Sequence, residues 1–213
     1  MRRYANRSDA GRELAAALGR GRDLGNAIVL GLPRGGVPVA YEIAQALSLP
    51  LDVLVVRKLG LPSQPELAMG AIASGGAVVW NEDVLRYLPS GDAERDRVIA
   101  RERAELERRG LAYRGRRPPL ALSGQTVILV DDGLATGATM EAAVSAVRQL
   151  GAGSVIVAVP VAASESRERI ARIADELVCL QAPAFFSAVG QWYQDFSQTS
   201  DAEVERLLRD GGA

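Results

Sequence analysis

Residues 127–139 constrain the fold of this 213-residue chain more than any other segment does. Residues 127–130 form a continuous aliphatic run, which is typical of a strand buried on both faces of a parallel sheet. Two acids, Asp131 and Asp132, follow directly, and a loop of small and hydroxyl-bearing residues comes next. The segment therefore predicts a buried strand whose carboxyl end carries two carboxylates and then turns into a helix.

The loop after the two acids has the composition of an anion-binding site. Its candidate ligand-binding residues are Gly133, Ala135, Thr136, Gly137, Ala138 and Thr139. Small residues let the backbone approach an anion closely, and a helix that starts here would point its free amides at a phosphate. Asp131 and Asp132 would accept hydrogen bonds from sugar hydroxyls, so the order of groups matches ribose 5-phosphate. An ordinary strand-turn-helix connection is the alternative, since Asp-Gly and Thr-Gly are common in turns.

In these residues the chain resembles the type I phosphoribosyltransferase family, whose signature is four hydrophobic residues, two acids and a Thr-Gly-rich loop. The resemblance implies that the loop binds the 5-phosphate of 5-phosphoribosyl 1-pyrophosphate. It also implies Mg²⁺ as cofactor, with Asp131 and Asp132 as ligands directly or through water. The loop is most similar to the adenine phosphoribosyltransferase version. The hypoxanthine-guanine enzymes carry an acid where this chain has Ala135, so one candidate general base is missing.

A second glycine-rich turn follows the first predicted strand. It contains Arg34, Gly35 and Gly36, and it lacks both the Gly-Lys ending of a P-loop and the spacing of a dinucleotide fingerprint. A strand-to-helix turn of this kind offers a second anion site, with Arg34 as its cation. In the resembling family the corresponding loop binds pyrophosphate and often contains a non-proline cis peptide. The alternative is a plain turn whose arginine points to solvent.

Lys58 is the only lysine among the 25 lysine and arginine residues. Codon bias explains many arginines but not the single exception, and lysine supplies a compact, mobile ammonium that arginine cannot imitate. Arg57 and Lys58, followed by Gly60, are similar to the flexible catalytic loop of the family. We therefore expect Lys58 and Arg57 to be catalytic, and Glu66 to act as a base or to organise a closed lid. A solvated Glu66 and a chance survival of Lys58 are the alternatives.

An aromatic segment at 181–199 is the candidate acceptor site. It contains Trp192, Tyr193 and Phe186, whose rings could sandwich a heterocycle. Packing in the core or at a dimer contact is the alternative, and it is the more common fate of such rings. In the family a variable hood recognises the acceptor, and the N-terminal segment together with 181–199 would form it here.

Composition removes several classes of function. The chain has no histidine, which excludes Ser-His-Asp hydrolysis and histidine zinc sites, and Cys179 is its single cysteine, which excludes an intrachain disulfide. A net charge of −1 shows no basic excess of the kind that indicates nucleic-acid binding. We expect no membrane segment and a cytoplasmic location, because the chain shows neither a long apolar run nor a signal-peptide pattern.

Alternating strand and helix patterns predict an α/β fold with a mostly parallel, twisted sheet flanked by helices and a Rossmann-like core. Residues 1–213 are expected to form one domain, with the core at about 28–180 and the hood around it. Residues 51–56 are a predicted strand, residues 59–70 a predicted lid, and residues 71–80 a predicted hairpin that turns at Gly75-Gly76. Residues 92–111 predict a surface helix with solvated charges, and Ser200 with Glu203 forms a capping box.

The resemblance implies a Mg²⁺-dependent transferase that moves ribose 5-phosphate to a nitrogen acceptor, such as a nucleobase or a related heterocycle, and that forms a homodimer. A second interpretation is a non-catalytic regulator that senses phosphoribosyl pyrophosphate, which the loss of an acid at Ala135 favours. A third is a hydrolase that admits water in place of the acceptor.

Overall fold

The computed structural model describes residues 2–61, 68–86, 93–115 and 117–211. In chain order the elements are α1 (Arg7–Leu18), β1 (Ala27–Gly31), α2 (Gly36–Leu47), β2 (Leu51–Val53), β3 (Val56–Gly60), β4 (Ala68–Ala73), β5 (Val78–Trp80), α3 (Glu82–Leu85), α4 (Ala93–Arg114), β6 (Thr126–Val130), α5 (Ala138–Gln149), β7 (Ser154–Val161), α6 (Ser164–Ile173), β8 (Glu176–Gln181), a 3₁₀ turn (Val189–Trp192) and α7 (Asp201–Gly211). The α/β fold predicted from the alternating patterns is confirmed.

The central sheet is parallel and has the strand order β2-β1-β6-β7-β8. Strand β6 is buried on both faces, as its continuous apolar run predicts. Ile128 and Val130 face a core packed by α1, α2 and α7, whereas Val127 and Leu129 face a second core packed by α5 and α6. All four side chains are fully buried, because helices cover both faces of the sheet.

Strands β3, β4 and β5 form a separate antiparallel sheet. The predicted hairpin is confirmed, since β4 and β5 pair across a turn in which Gly75 and Gly76 have φ values of 86° and 83°. The strand expected at 51–56 is in fact two, because β2 ends at Val53 and the chain then leaves the central sheet to start β3 at Val56. The predicted lid begins and ends inside β3 and β4, and residues 62–67 between them lie outside the described part of the chain.

Two helices begin at residues whose side chains cap them. Helix α1 begins after Asn6, whose side chain accepts a hydrogen bond from the Asp9 amide at 2.9 Å. At the start of α7, the Ser200 hydroxyl accepts a hydrogen bond from the Glu203 amide at 3.1 Å, as the capping box predicts. In the described residues no helix is both long and apolar enough to cross a membrane.

The expectation that all charges of α4 are solvated was wrong. Arg57 of β3 donates from Nη2 to Glu102 Oε2 at 2.6 Å, and Glu102 is only 7% exposed. Arg114, the last residue of α4, donates from Nε to Asp52 Oδ1 at 3.0 Å. These two ion pairs attach α4 to β3 and β2, so part of its charge is structural.

Arg114→Ala should lower the free energy of unfolding by about 3 kcal/mol, because it leaves the buried Asp52 carboxylate without its partner. Arg172→Ala is the matched control, since its pair with Glu168 is exposed and should contribute less than about 1 kcal/mol. Urea denaturation of both variants measures the two effects. Equal losses would contradict the structural role of the Asp52–Arg114 pair.

Candidate functional site

Two loops meet at the carboxyl edge of the central sheet. Gly31 at the end of β1 is the register partner of Val130 at the end of β6, so the loops that follow these strands lie side by side. A Cβ at Gly36 would stand 2.5 Å from the Val130 carbonyl oxygen and 2.9 Å from Asp131 Cα. Only glycine allows this approach of the two backbones.

Gly35 makes the same kind of contact with the second acid. A Cβ on Gly35 would lie 2.0 Å from Asp132 Oδ2. In the same turn, the peptide bond between Pro33 and Arg34 is cis, as the family resemblance implies. The structure thus brings Gly35 and Gly36 together with Asp131 and Asp132.

Asp131 and Asp132 are half-buried and interact with each other. The Asp132 amide donates to Asp131 Oδ1 at 2.8 Å. Burial raises the pKa of Asp131 well above its ordinary value, and the neighbouring Asp132 charge raises it further. Burial also raises the pKa of Asp132, although the cation of Arg7 opposes this rise. The pair is therefore a site that favours the arrival of further positive charge or of hydrogen-bond donors.

Next to the acids the chain forms an open cradle at the N-terminus of α5. The cradle surrounds a cavity of roughly 170 Å³. Its lining residues are Asp131, Gly133, Leu134, Ala135, Thr136, Gly137, Ala138, Thr139, Met140 and Val189. Gly137 has a φ of 75°, a left-handed conformation that suits glycine, and α5 starts at the next residue. The predicted phosphate-binding residues thus line one cavity at a helix N-terminus.

Helix α6 holds the cradle loop from behind. The Ser166 hydroxyl donates to the Ala135 carbonyl oxygen at 2.5 Å, and Arg169 donates to the carbonyl oxygen of Thr136. Arg169 also donates from Nε to Glu141 Oε1 of α5 at 2.9 Å. These bonds occupy the carbonyl oxygens of Ala135 and Thr136 and tie the loop to α6.

Arg7, which the sequence interpretation missed, lies at the acids. Its Nε donates to Asp132 Oδ2 at 2.8 Å, and the two side chains are 12% and 14% exposed. The two residues are 125 positions apart in the chain, and an arginine at the start of an amphipathic helix gives no local signal of such a contact. Its discovery required the tertiary structure.

Arg34, the predicted cation of the second anion site, contacts a carboxylate in this structure. Its guanidinium forms an ion pair with Asp201 at 3.8 Å, and Asp201 also accepts a hydrogen bond from the Tyr113 hydroxyl at 2.7 Å. Burial, together with that hydrogen bond, raises the pKa of Tyr113 to about 12. Arg34 is 35% exposed, so it retains access to solvent at the edge of the glycine-rich turn.

Arg57 and Lys58 point to opposite faces of β3, as neighbouring strand residues do. Arg57 is engaged by Glu102, whereas Lys58 is exposed and lines a second cavity of roughly 390 Å³. That cavity lies between the antiparallel sheet and α5, and it shares Ala138 and Thr139 with the cradle. Lys58 thus lines one cavity together with Ala138 and Thr139 of the cradle, whereas Arg57 does not line it. Glu66 lies outside the described residues.

The aromatic residues of 181–199 occupy different environments. Tyr193 is 1% exposed, packs on Tyr4 at a ring-centre distance of 5.6 Å, and donates its hydroxyl to the Asp132 carbonyl oxygen at 2.6 Å. Its ring is therefore part of the core, as the alternative interpretation held. Trp192 and Phe186 are partly buried, and Trp192 Nε1 has no hydrogen-bond partner among the described residues.

The N-terminal segment and the aromatic segment pair with each other. The Tyr4 amide donates to the Trp192 carbonyl oxygen at 2.8 Å, and the Gln194 amide donates to the Tyr4 carbonyl oxygen at 2.8 Å. The two parts of the predicted hood therefore form one layer beside the acids, fixed by backbone hydrogen bonds.

Gly35→Ala should destabilise the protein by about 1–3 kcal/mol, because the new methyl group would overlap the Asp132 carboxylate. In an Asp132→Ala background the same change should cost much less, and a double-mutant cycle in denaturant measures the coupling. Gly110→Ala is the control, since a Cβ there meets nothing within 4 Å, and it should stabilise the helix by about 0.5–1 kcal/mol. Equal costs of Gly35→Ala in both backgrounds would refute the contact with Asp132.

Comparisons with known proteins identify the family of the chain. Residues 3–195 match the model of the phosphoribosyl transferase domain. A Mycobacterium tuberculosis protein, Rv0571c, whose name assigns it provisionally to the phosphoribosyl transferases, is 50% identical over 210 residues. The match covers 98% of this chain and 47% of that protein, so the chain spans about half the length of the curated relatives that it matches.

Solved structures give the same result for the fold. The TT1426 protein of Thermus thermophilus is 46% identical, and the two structures superpose over the full length of both chains with a TM-score of 0.88. A hypothetical protein of Neisseria gonorrhoeae, solved with bound ppGpp, shares only 13% identity at a TM-score of 0.52, over 99% and 96% of the two chains, and shows the fold alone. Because the domain match covers most of its length, the chain belongs to the phosphoribosyl transferase domain family.

Proposed function

We propose that this chain binds 5-phosphoribosyl 1-pyrophosphate and transfers ribose 5-phosphate to a nitrogen acceptor, with release of pyrophosphate. One observation carries the proposal: two half-buried acids at the end of β6 border an open cradle at the N-terminus of α5. Membership of the family supports the reaction class.

The cradle would hold the 5-phosphate. Thr136 and Thr139 are exposed at its rim and offer hydroxyl donors, and the first amides of α5 are free of intrahelical partners. Asp131 and Asp132 would accept hydrogen bonds from the ribose hydroxyls, since a carboxylate accepts but does not donate. Burial strengthens these bonds, because water competes less for the same groups.

The glycine-rich turn would hold the pyrophosphate. Gly35 and Gly36 lie directly against Asp131 and Asp132, so a ligand that spans the cradle and this turn has its sugar over the acids. Arg34 supplies a cation at the turn once it leaves or shares Asp201.

The donor set fits Mg²⁺. The ion prefers oxygen ligands and is often held by one or two carboxylates together with substrate phosphates. Asp131 and Asp132 supply such carboxylates, and the described residues contain no cluster of three or more metal-binding side chains that would form a cage from protein alone. Held there with the substrate, Mg²⁺ would supply positive charge that offsets the charge of the pyrophosphate group.

The reaction would replace one bond at the anomeric carbon. The bond from that carbon to the pyrophosphate oxygen breaks, and its electron pair leaves with pyrophosphate. The lone pair of the acceptor nitrogen forms the new bond, and a proton on that nitrogen would pass to solvent water. Lys58 would stabilise the growing negative charge of the leaving group from the neighbouring cavity wall.

A nucleobase or a related heterocycle is the acceptor class that we infer. Of the three rings predicted to contact it, Tyr193 is in the core, so Trp192 and Phe186 are the rings that can still contribute. The homodimer implied by the family resemblance stays a prediction, and so does a cytoplasmic location.

A regulator that senses phosphoribosyl pyrophosphate without turning it over is the second candidate. The observation that favours it is Ala135, an exposed methyl group in the cradle loop where the hypoxanthine-guanine enzymes carry an acid. Binding alone would then be the function of the site.

Calorimetric titration with phosphoribosyl pyrophosphate, with and without Mg²⁺, should detect binding that strengthens with the metal. Pyrophosphate release measured in the same samples, across purine, pyrimidine and other nitrogen acceptors, should identify the acceptor. The double variant Asp131→Asn/Asp132→Asn should weaken binding by about tenfold or more, because two charged acceptors are lost. Binding without release from any acceptor would favour the sensor, and no binding to the wild-type chain would overturn the proposal.

Lys58→Ala should lower turnover by about 10²-fold to 10³-fold while the affinity for phosphoribosyl pyrophosphate changes only a few-fold, since Lys58 is proposed to act on the leaving group in the transition state. Lys58→Arg keeps the charge and should recover part of the rate, which makes it the matched control. Steady-state kinetics on both variants gives kcat and KM separately. A Lys58→Ala enzyme with wild-type turnover would remove Lys58 from the mechanism.

A further inference from the structure

We propose that Arg7 is a positioning residue for the sugar: it holds the Asp132 carboxylate in the orientation that binds the ribose hydroxyls. This inference rests on the proposed function, because it assigns a role within the same site. Arg7 comes from the N-terminal helix, which contains none of the sequence motifs discussed above.

Three contacts fix the guanidinium of Arg7. Its Nε donates to Asp132 Oδ2 at 2.8 Å, and its Nη1 donates to the Ser197 carbonyl oxygen at 2.7 Å. Its central carbon lies 4.0 Å from the centre of the Phe196 ring, a distance typical of a cation–π contact. A side chain held on three sides loses little further freedom when a ligand arrives, so it is a rigid support.

The contact leaves part of Asp132 available to a ligand. Among the described residues, Arg7 is the side-chain donor to the Asp132 carboxylate, and its hydrogen bond goes to Oδ2. A carboxylate has about four lone-pair positions for hydrogen bonds, and Arg7 occupies one of them. Arg7 thereby fixes the plane of the carboxylate, whose other positions can accept a hydrogen bond from a sugar hydroxyl.

The surroundings of Asp132 explain why a cation is needed there. The carboxylate is 14% exposed, stands next to Asp131, and would lie only 2.0 Å from any Cβ at Gly35. Without Arg7, two neighbouring acids in a partly dry site would repel each other, and Asp132 would rotate toward solvent. Rotation would break the geometry for the sugar but not for the phosphate, since the cradle residues 133–139 make no hydrogen bond or ion pair with Arg7.

A second support holds the backbone of Asp132. The Tyr193 hydroxyl donates to the Asp132 carbonyl oxygen at 2.6 Å, and Arg3 donates from Nη2 to the Tyr193 carbonyl oxygen at 2.6 Å. Arg7 therefore orients the side chain of an acid whose main chain is already fixed by the same layer.

The test compares two ligands that differ only in the sugar. Ribose 5-phosphate and inorganic phosphate are titrated calorimetrically into the wild-type chain, Arg7→Ala and Arg7→Lys. We expect Arg7→Ala to weaken ribose 5-phosphate binding about tenfold, as for the loss of one hydrogen bond to a charged group, and to change phosphate binding less than about twofold. Arg7→Lys should recover part of the loss, because its ammonium can still reach the carboxylate.

Arg12→Ala is the matched control from the same helix. Arg12 is 58% exposed and forms only long ion pairs, at 3.6 Å to Glu42 and 3.7 Å to Asp9, so neither affinity should change. Arg7→Ala in an Asp132→Asn background completes a double-mutant cycle. There it should have little further effect on ribose 5-phosphate, since the carboxylate that it positions is gone.

Each other outcome overturns a distinct claim. Equal weakening of both ligands by Arg7→Ala would assign Arg7 a structural role, and tighter ribose 5-phosphate binding would make the Arg7–Asp132 contact an inhibitory one. An undiminished effect in the Asp132→Asn background would also refute the positioning role. If Arg7→Ala fails to fold, the comparison of Arg7→Lys with the wild-type chain decides the same question, because a loss confined to ribose 5-phosphate is required. Failure of the wild-type chain to bind either ligand would overturn the proposed function itself.

Discussion

The parallel pairing of β1 with β6 is the constraint on which the rest of the site depends. The register that sets Gly31 opposite Val130 brings two strand ends, and hence two loops, to one edge of the sheet. In a parallel sheet the helices that connect the strands cover both faces, as they do on either side of β6. A Cβ at Gly36 would lie 2.5 Å from the Val130 carbonyl oxygen and one at Gly35 would lie 2.0 Å from Asp132 Oδ2, so neither position has room for a side chain. The glycine-rich turn and the acids are therefore one unit, built from segments that are distant in the chain.

Charge balance decides how that unit is arranged. Two neighbouring carboxylates at a half-buried strand end raise each other's cost of ionisation, and burial raises the pKa of both. The positive charge of Arg7 opposes this rise in pKa, and Phe196 and Ser197 hold its guanidinium in place. The same arrangement favours a ligand that brings donors or a divalent cation to the acids. The proposed recognition of the sugar and the stability of the strand end thus depend on the same balance of charge.

The site is divided between two cavities that share a wall at the start of α5. The cradle offers amides and hydroxyls, whereas the neighbouring cavity contains Lys58 and lies under a separate antiparallel sheet. Because β3 alternates its side chains, Lys58 faces that cavity while Arg57 turns to Glu102 and anchors α4. An Arg-Lys pair that looks like one functional unit along the chain serves two purposes in space, one structural and one proposed to be catalytic.

The sequence alone determined the α/β class, the buried strand, the two acids and the cradle, because each is encoded by neighbouring residues whose period or chemistry is local. It also located the second glycine-rich turn, the hairpin at Gly75-Gly76 and the cap of α7. Only the tertiary structure decided that Arg7 contacts Asp132 across 125 positions and that Tyr193 belongs to the core. It also decided that the side chains of Arg57 and Lys58 lie in different environments. Those outcomes follow from packing and desolvation between distant segments, and no periodicity within a single segment records them.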